Sequence, residues 1–231
     1  MFKKILFILI FVSTQSIAND DIINNLSLFF GTKNIEKTQL KGIYEVILEN
    51  PIKSVFVSED GRYLIRGDII DLTTQQKIPS KVKQLKKSLL NNIDDKDKII
   101  FKANNEKYVV HVFTDVDCPF CRKLHAEVPE MNELGITIKY LASPLASLHP
   151  TAQGKMEKIW CAEDPILAMD NYKKYKTIPD SKPCKNPVAE QIRIAAELGV
   201  NGTPAVFLAD GTHIPGYLPA DSLLKKLENT K

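Results

Sequence analysis

The 231-residue chain has little excess charge: 31 lysines and arginines face 28 acidic residues, a formal net charge of +3. So even a balance gives no support to binding of nucleic acid or of an anionic membrane surface. Long apolar runs are also missing. The longest, residues 5–12, falls well short of the roughly 20 residues that a helix needs to cross a bilayer. No low-complexity tract and no internal repeat is present. Cysteines number only four, at 118, 121, 161 and 184. Cys161 and Cys184 lack the second closely spaced Cys or His pair that a zinc site normally offers. Arg122 follows Cys121 where covalent haem attachment needs histidine. Neither a metal nor another cofactor is expected.

What is there begins with an export address. Lys3 and Lys4 precede the apolar run, and Ser16-Ile17-Ala18 ends it on small residues. This is the pattern of a cleavable signal peptide over residues 1–18. Its removal would leave 213 of the 231 residues and, with Lys3 and Lys4 gone, lower the net charge by two to +1. Export places the cysteines where disulfides persist.

Residues 19–78 form one block. A short amphipathic helix is expected over 20–30, with Ile22, Ile23, Leu26, Phe29 and Phe30 at helical spacing. Strand-like runs follow at 42–48, 54–57 and 63–71, the last two joined by the turn signal Glu59-Asp60-Gly61. About sixty residues make a marginal core, so this block gains by pairing with a copy of itself. Residues 79–93 read as one helix with Ser80 as N-cap and Val82, Leu85, Leu89 and Ile93 on its apolar stripe. Lys81, Lys83, Lys86 and Lys87 fall largely off that stripe and read as a solvated face.

From residue 94 the pattern alternates. Strands are expected at 99–102 and 108–114, then a helix after residue 118 with a kink at Pro129, and a strand in which Ile136, Ile138 and Tyr140 alternate. Helices are expected at 152–161, 165–174 and 188–198. A hairpin over 205–208 and 213–217 turns at Asp210-Gly211, and a helix over 220–227 follows. This order implies a mixed sheet covered by helices.

The chemistry lies at Cys118-Pro119-Phe120-Cys121, between the apolar strand and the helix. The partial positive charge of a helix N-terminus stabilises a thiolate, which makes the first cysteine a nucleophile near neutral pH. Four cysteines allow three pairings, and spacing alone does not choose among them. Local context favours Cys118 with Cys121 as the redox pair and Cys161 with Cys184 as a structural bridge. The latter closes a loop of 24 residues, an effect of about 3–4 kcal/mol on unfolded-chain entropy. Asp115 and Asp117 either perturb Cys118 or serve local turns and caps, the second being the simpler reading. His111 reads as a sheet residue. His125 shares a helix face with Cys121, and no histidine is assigned a catalytic role. Pro204, after Gly202-Thr203, opens the strand 205–208. It is either an edge device without an N–H or a cis residue that presents the Thr203 backbone to an extended substrate.

Residues 113–121 together with 201–206 resemble the thioredoxin superfamily, and within it the periplasmic disulfide isomerases of the DsbC/DsbG family. Leu134-Gly135-Ile136-Thr137, Ile159-Trp160-Cys161-Ala162 and Ile214-Pro215-Gly216-Tyr217 add to the likeness, which covers most of 99–228. The resemblance implies an α+β / α/β protein: an N-terminal cystatin-like dimerisation domain at 19–78, a linker helix at 79–93, and a thioredoxin-like catalytic domain with a helical insertion at 94–231. It further implies a V-shaped homodimer in the periplasm, Cys118 and Cys121 as the catalytic pair, Thr203 and a cis Pro204 as the substrate-binding pair, and a structural Cys161–Cys184 bridge. Its partners would be misfolded disulfide-containing clients and the membrane reductant DsbD. The implied activity is reshuffling of non-native disulfides with chaperone-like client binding. Pro119-Phe120 departs from the Gly-Tyr usual in DsbC and is nearer the Pro-aromatic dipeptide of DsbG, which keeps reduction of sulfenylated cysteines as an alternative. A mainly dimeric holdase is the other.

Overall fold

Residues 15–230 are described by a computed structural model. The expected leader falls almost wholly outside them. The chain divides into two compact units, one running to Leu48 and taking in Ser54–Pro79, the other comprising Glu49–Lys53 and Ser80 onward.

In the first unit a helix, α1 (Gln15–Phe30), lies on an antiparallel meander of β1 (Ile35–Lys37), β2 (Ile43–Glu49), β3 (Ile52–Ser58) and β4 (Leu64–Ile65). Leu26 from the helix and Tyr44, Val46, Val55 and Val57 from the strands form its buried core. The alternation of Tyr44 with Val46, and of Val55 with Val57, puts one face of each strand under the helix. Gly61, at φ +69, closes the turn between β3 and β4. The single run expected at 63–71 is instead two short strands in different sheets. β4 pairs with β3, while β5 (Ile70–Asp71) pairs with β6 (Gln76–Lys77). The break falls at Gly67, whose φ of +120 only glycine adopts readily.

The second unit begins with α2 (Val82–Asn91). Ser80 is not its N-cap. That position is Lys81, without a side-chain cap bond, and the Ser80 hydroxyl accepts from Val82 N–H at 3.2 Å. The lysine face is not simply solvated either. Lys83 pairs with Asp210 at 3.3 Å, and Lys86 lies 6.0 Å from the Phe207 ring centre. Leu90 and Ile93 enter a core with Phe113, Leu141 and Phe207.

A five-stranded sheet follows, ordered β11 (His213–Pro215), β10 (Ala205–Leu208), β8 (Tyr108–Thr114), β9 (Ile136–Ala142), β7 (Ile99–Phe101). Only β8 and β9 run parallel. The period of two along β8 sorts its side chains between two layers. Val110 and Val112 join the larger core, and Phe113 joins the core with α2 and α7 (Val188–Glu197). Because both faces are covered, β9 is buried nearly throughout rather than alternately. The helix after Cys118 is two helices, α3 (Pro119–Ala126) and α4 (Val128–Glu133), meeting at Glu127. The break lies two residues before Pro129, which cannot donate to the carbonyl of His125 and crowds that turn. Between β9 and α7 the chain inserts α5 (Ala152–Trp160) and α6 (Pro165–Tyr175), and α8 (Ala220–Glu228) ends the fold. A mixed sheet with helices on both faces and a helical insertion is the thioredoxin-like arrangement that the resemblance implied.

Candidate active site

Cys118 ends the loop after β8 and is the N-cap of α3, with Pro119 at the first helical position where its missing N–H costs nothing. Both Cys118 and Cys121 are unbridged and buried. In its thiol form Cys118 donates from Sγ to the Thr203 carbonyl at 3.2 Å. The Cys118 thiol is held at about 5, chiefly by hydrogen bonding from Cys121; burial opposes this, while the Cys121 and Phe120 backbone amides and the Thr203 side chain add to it. These amides are the unsatisfied donors of a helix N-terminus. The Thr203 hydroxyl is buried and has no conventional partner among the described residues, so the thiolate is the acceptor it can serve. Thr203–Pro204 is cis, as is Asn50–Pro51, which the sequence did not flag.

Cys121 is driven the other way. Burial, then the Cys118 thiolate beside it, pushes its thiol well above the usual range. Its Sγ accepts from Asp115 N–H at 3.4 Å, and this amide, the Lys173 charge and the Thr114 side chain oppose the rise without cancelling it. The pair therefore splits into an ionised attacking thiol and a protonated resolving thiol. That division of labour is what stepwise thiol–disulfide exchange requires.

The acidic residues before Cys118 serve structure. Asp115 is buried, accepting from Asp117 N–H at 2.8 Å as a turn, and from Leu145 N–H and His149 Nδ1, each at 2.8 Å. Asp117 does not cap α3. It meets Lys155 at 2.7 Å, Tyr172 Oη at 2.6 Å and Lys176 at 3.3 Å. Burial pushes its carboxyl up, and these three donors more than offset that, holding it at about 2. His125 is buried between Tyr140 Oη and Asp170, each 3.2 Å away. Burial, then the Lys173 charge, lowers it to about 4. His111 is a buried sheet residue whose Nδ1 has no partner among the described residues.

Cys161 and Cys184 are bonded, with their Cα atoms 5.6 Å apart, where α5 ends and the loop before α7 passes over it. The site residue that sequence reasoning missed is Lys173. Its side chain is fully enclosed and donates from Nζ to Thr114 Oγ1 at 3.0 Å and to the Asp115 carbonyl at 2.7 Å. Standing beside Lys174 and Lys176, it reads as one of a solvated group. The signal was its place four residues after Met169, on the buried stripe of α6 that also carries Ala168 and Tyr172.

Comparison with known proteins follows the same lines. Residues 94–231 match the family described as a thioredoxin-like domain, and residues 16–84 match the disulfide bond isomerase protein N-terminal domain. The thiol:disulfide interchange protein DsbC of Haemophilus influenzae is 35% identical over 231 residues, spanning 99% of this chain and 99% of that protein. DsbC of Escherichia coli is 34% identical over 213 residues, 91% of this chain and 88% of the relative. The crystal structure of a disulfide interchange protein from Neisseria gonorrhoeae superposes with a TM-score of 0.54 at 31% identity, over 59% of this chain and 99% of that one. The chain is thus a thiol–disulfide oxidoreductase, and it belongs to the DsbC family of thiol:disulfide interchange proteins.

Proposed function

We propose that this protein is a periplasmic disulfide isomerase that reshuffles wrongly paired disulfides through a mixed disulfide at Cys118. The observation that carries the reading is a buried pair with opposed acidities, Cys118 at about 5 and Cys121 pushed well up. The Cys118 thiolate attacks a client disulfide and one client thiol is freed. That thiol then attacks another client sulfur, which releases Cys118 unchanged, or Cys121 attacks Cys118 and leaves the pair oxidised. Thr203 and Pro204 hold the client backbone, in keeping with the Thr203 carbonyl 3.2 Å from the Cys118 sulfur. Exposed Phe120 on α3 and Leu167 and Tyr175 on α6 offer apolar surface to a non-native chain.

The remaining assignments of this reading are a signal peptide at 1–18, a dimerisation domain at 19–78, a linker helix at 79–93 and a catalytic domain at 94–231. The Cys161–Cys184 bridge is structural, and the membrane reductant DsbD keeps Cys118 and Cys121 reduced. Homodimer formation is supported by the apolar side chains that the first unit leaves exposed, among them Leu28, Phe29, Leu64, Ile65 and Leu72. Leu64 and Ile65 form a short edge strand, a place where a second copy can pair.

The test is refolding of a client with scrambled disulfides, with aggregation of the same client followed in parallel. Wild type restores the native pairing and Cys118→Ala does not, while both suppress aggregation. Unchanged isomerisation by Cys118→Ala refutes the mechanism.

A further inference from the structure

Lys173 is a buried cation that simple thiol exchange does not use. It stands beside the resolving cysteine: Lys173 Nζ lies 3.0 Å from Thr114 Oγ1 and 2.7 Å from the Asp115 carbonyl, the Asp115 N–H donates to Cys121 Sγ at 3.4 Å, and the Thr114 side chain is among the groups that favour the Cys121 thiolate. Thr114 is fully buried and Lys173 is 3% exposed. Cys121, by contrast, is a thiol that gives up its proton reluctantly. A protonated thiol is a poor nucleophile, so resolution of a mixed disulfide needs an acceptor for that proton.

We propose that Lys173, acting through Thr114, is the positioning residue that takes up the Cys121 proton when Cys121 resolves a mixed disulfide, and so sets how long a client stays bound to Cys118. The inference rests on Cys118 as the attacking thiol and Cys121 as the resolving thiol. The step balances. The Cys121 S–H proton passes to Thr114 Oγ1 as the Thr114 proton passes to neutral Lys173 Nζ. The Cys121 thiolate attacks Cys118 Sγ, the Cys118–client bond breaks, and the client sulfur leaves with the electron pair as a thiolate. The cysteine pair loses two electrons and the client disulfide has gained them. When an external dithiol later attacks Cys118, Cys121 leaves as a thiolate and regains its proton from Lys173 by the same path.

The surroundings suit a group that changes protonation near neutral pH. Burial lowers the Lys173 ammonium to about 8, against the opposing pull of Cys121, Asp115 and Cys118, with Lys176 adding to the lowering. On α3, His125 faces Lys173 and Arg122 Nε donates to the Lys173 carbonyl at 3.3 Å. On α6 itself, Asp170 is occupied by His125 and Lys174. Tyr140 on β9 is the other titratable group by Cys121 and stays protonated, because burial raises it far above neutrality. Formation of the mixed disulfide removes the Cys118 thiolate, and with it one charge that favours the ammonium. Lys173 then releases its proton more readily at the stage where an acceptor is needed.

The experiment follows a symmetric disulfide that carries a self-quenching fluorophore on each half, mixed with reduced full-length protein in single turnover. Two releases occur: the first when Cys118 attacks, the second when Cys121 resolves. Lys173→Met, which keeps the volume of the buried side chain, slows the second release about tenfold or more at pH 7 and changes the first much less. It also removes the rise in the second rate that wild type shows as pH approaches 8. Thr114→Val interrupts the path with Lys173 in place and gives the same selective loss, so the test stands if one variant folds poorly. An unchanged second release in either folded variant, or equal slowing of both releases, overturns the inference. Absence of the first release from wild type instead overturns the assignment of Cys118.

Discussion

Thr203→Val separates the electrostatic role of Thr203 from its shape. The two side chains are nearly isosteric, and the hydroxyl that is lost has no conventional partner among the described residues. Its acceptor is the Cys118 thiolate, whose pKa it helps to hold at about 5. A hydrogen bond to a charged group contributes about 1.5–3 kcal/mol, and one pKa unit corresponds to about 1.4 kcal/mol. Since Cys121 supplies the largest share of the lowering and the α3 amides remain, the lower end applies. The midpoint then rises by about one unit, to about 6. The assay is thiolate absorbance of the reduced protein against pH, checked by the pH dependence of alkylation. The two redox states give a second readout. The oxidised protein has no thiolate to serve, so its stability stays the same or rises slightly on loss of an unpaired buried hydroxyl. The reduced variant loses stability relative to wild type above about pH 6. A depressed thiol contributes stability that is present above its unfolded pKa and is lost as pH falls through the folded value, so the reduced-state deficit shrinks toward pH 5. An unchanged midpoint, or a deficit equal in both redox states, refutes the reasoning.

Gly211→Ala strikes the docking of α2 within the second unit. A Cβ there stands 2.1 Å from the Lys83 carbonyl oxygen at a φ of +87, so denaturant unfolding shows a loss of about 2–4 kcal/mol. Gly154→Ala, in α5 with open space around it, is neutral or gains up to about 1 kcal/mol in the same measurement. His111 and His125 are both held at about 4, mainly by burial. The unfolded chain binds their protons from about pH 6.5. Stability is therefore full above pH 6.5, falls by up to about 3 kcal/mol per histidine toward pH 4 and levels below. His111→Phe flattens that part of the pH–stability curve. Replacing Cys161 and Cys184 together by serine lowers stability by about 3–4 kcal/mol and leaves the rate of alkylation at Cys118 unchanged.

Much of this site was legible in the sequence because it is local. The strand that becomes β8, the turn and the start of α3 are contiguous, so the alternation of Val110 and Val112, the cysteine spacing and Pro119 at the helix start can be read directly. Thr203-Pro204 was legible as a motif beside an apolar strand, although the distance to Cys118 comes only from the pairing of β10 with β8. The misses have tertiary causes. Lys173 lies fifty-five residues beyond Cys118, in an inserted helix, and only folding shows that one lysine of a group turns inward. Asp117 pairs with partners on or beside α5 and α6, so no local capping rule reveals it. The run at 63–71 has the composition of one strand, and a single glycine divides it between two sheets.

The central claim is that Cys118, and not Cys121, makes the covalent bond to a client. The direct measurement is mass spectrometry of the Cys121→Ser protein after incubation with a client carrying scrambled disulfides and acid quenching. The predicted result is a mixed disulfide joining the client to the peptide that contains Cys118, formed at a rate that rises with ionisation of the Cys118 thiol. No conjugate with Cys121→Ser, or an equal yield of conjugate at Cys121 in the Cys118→Ser protein, contradicts it.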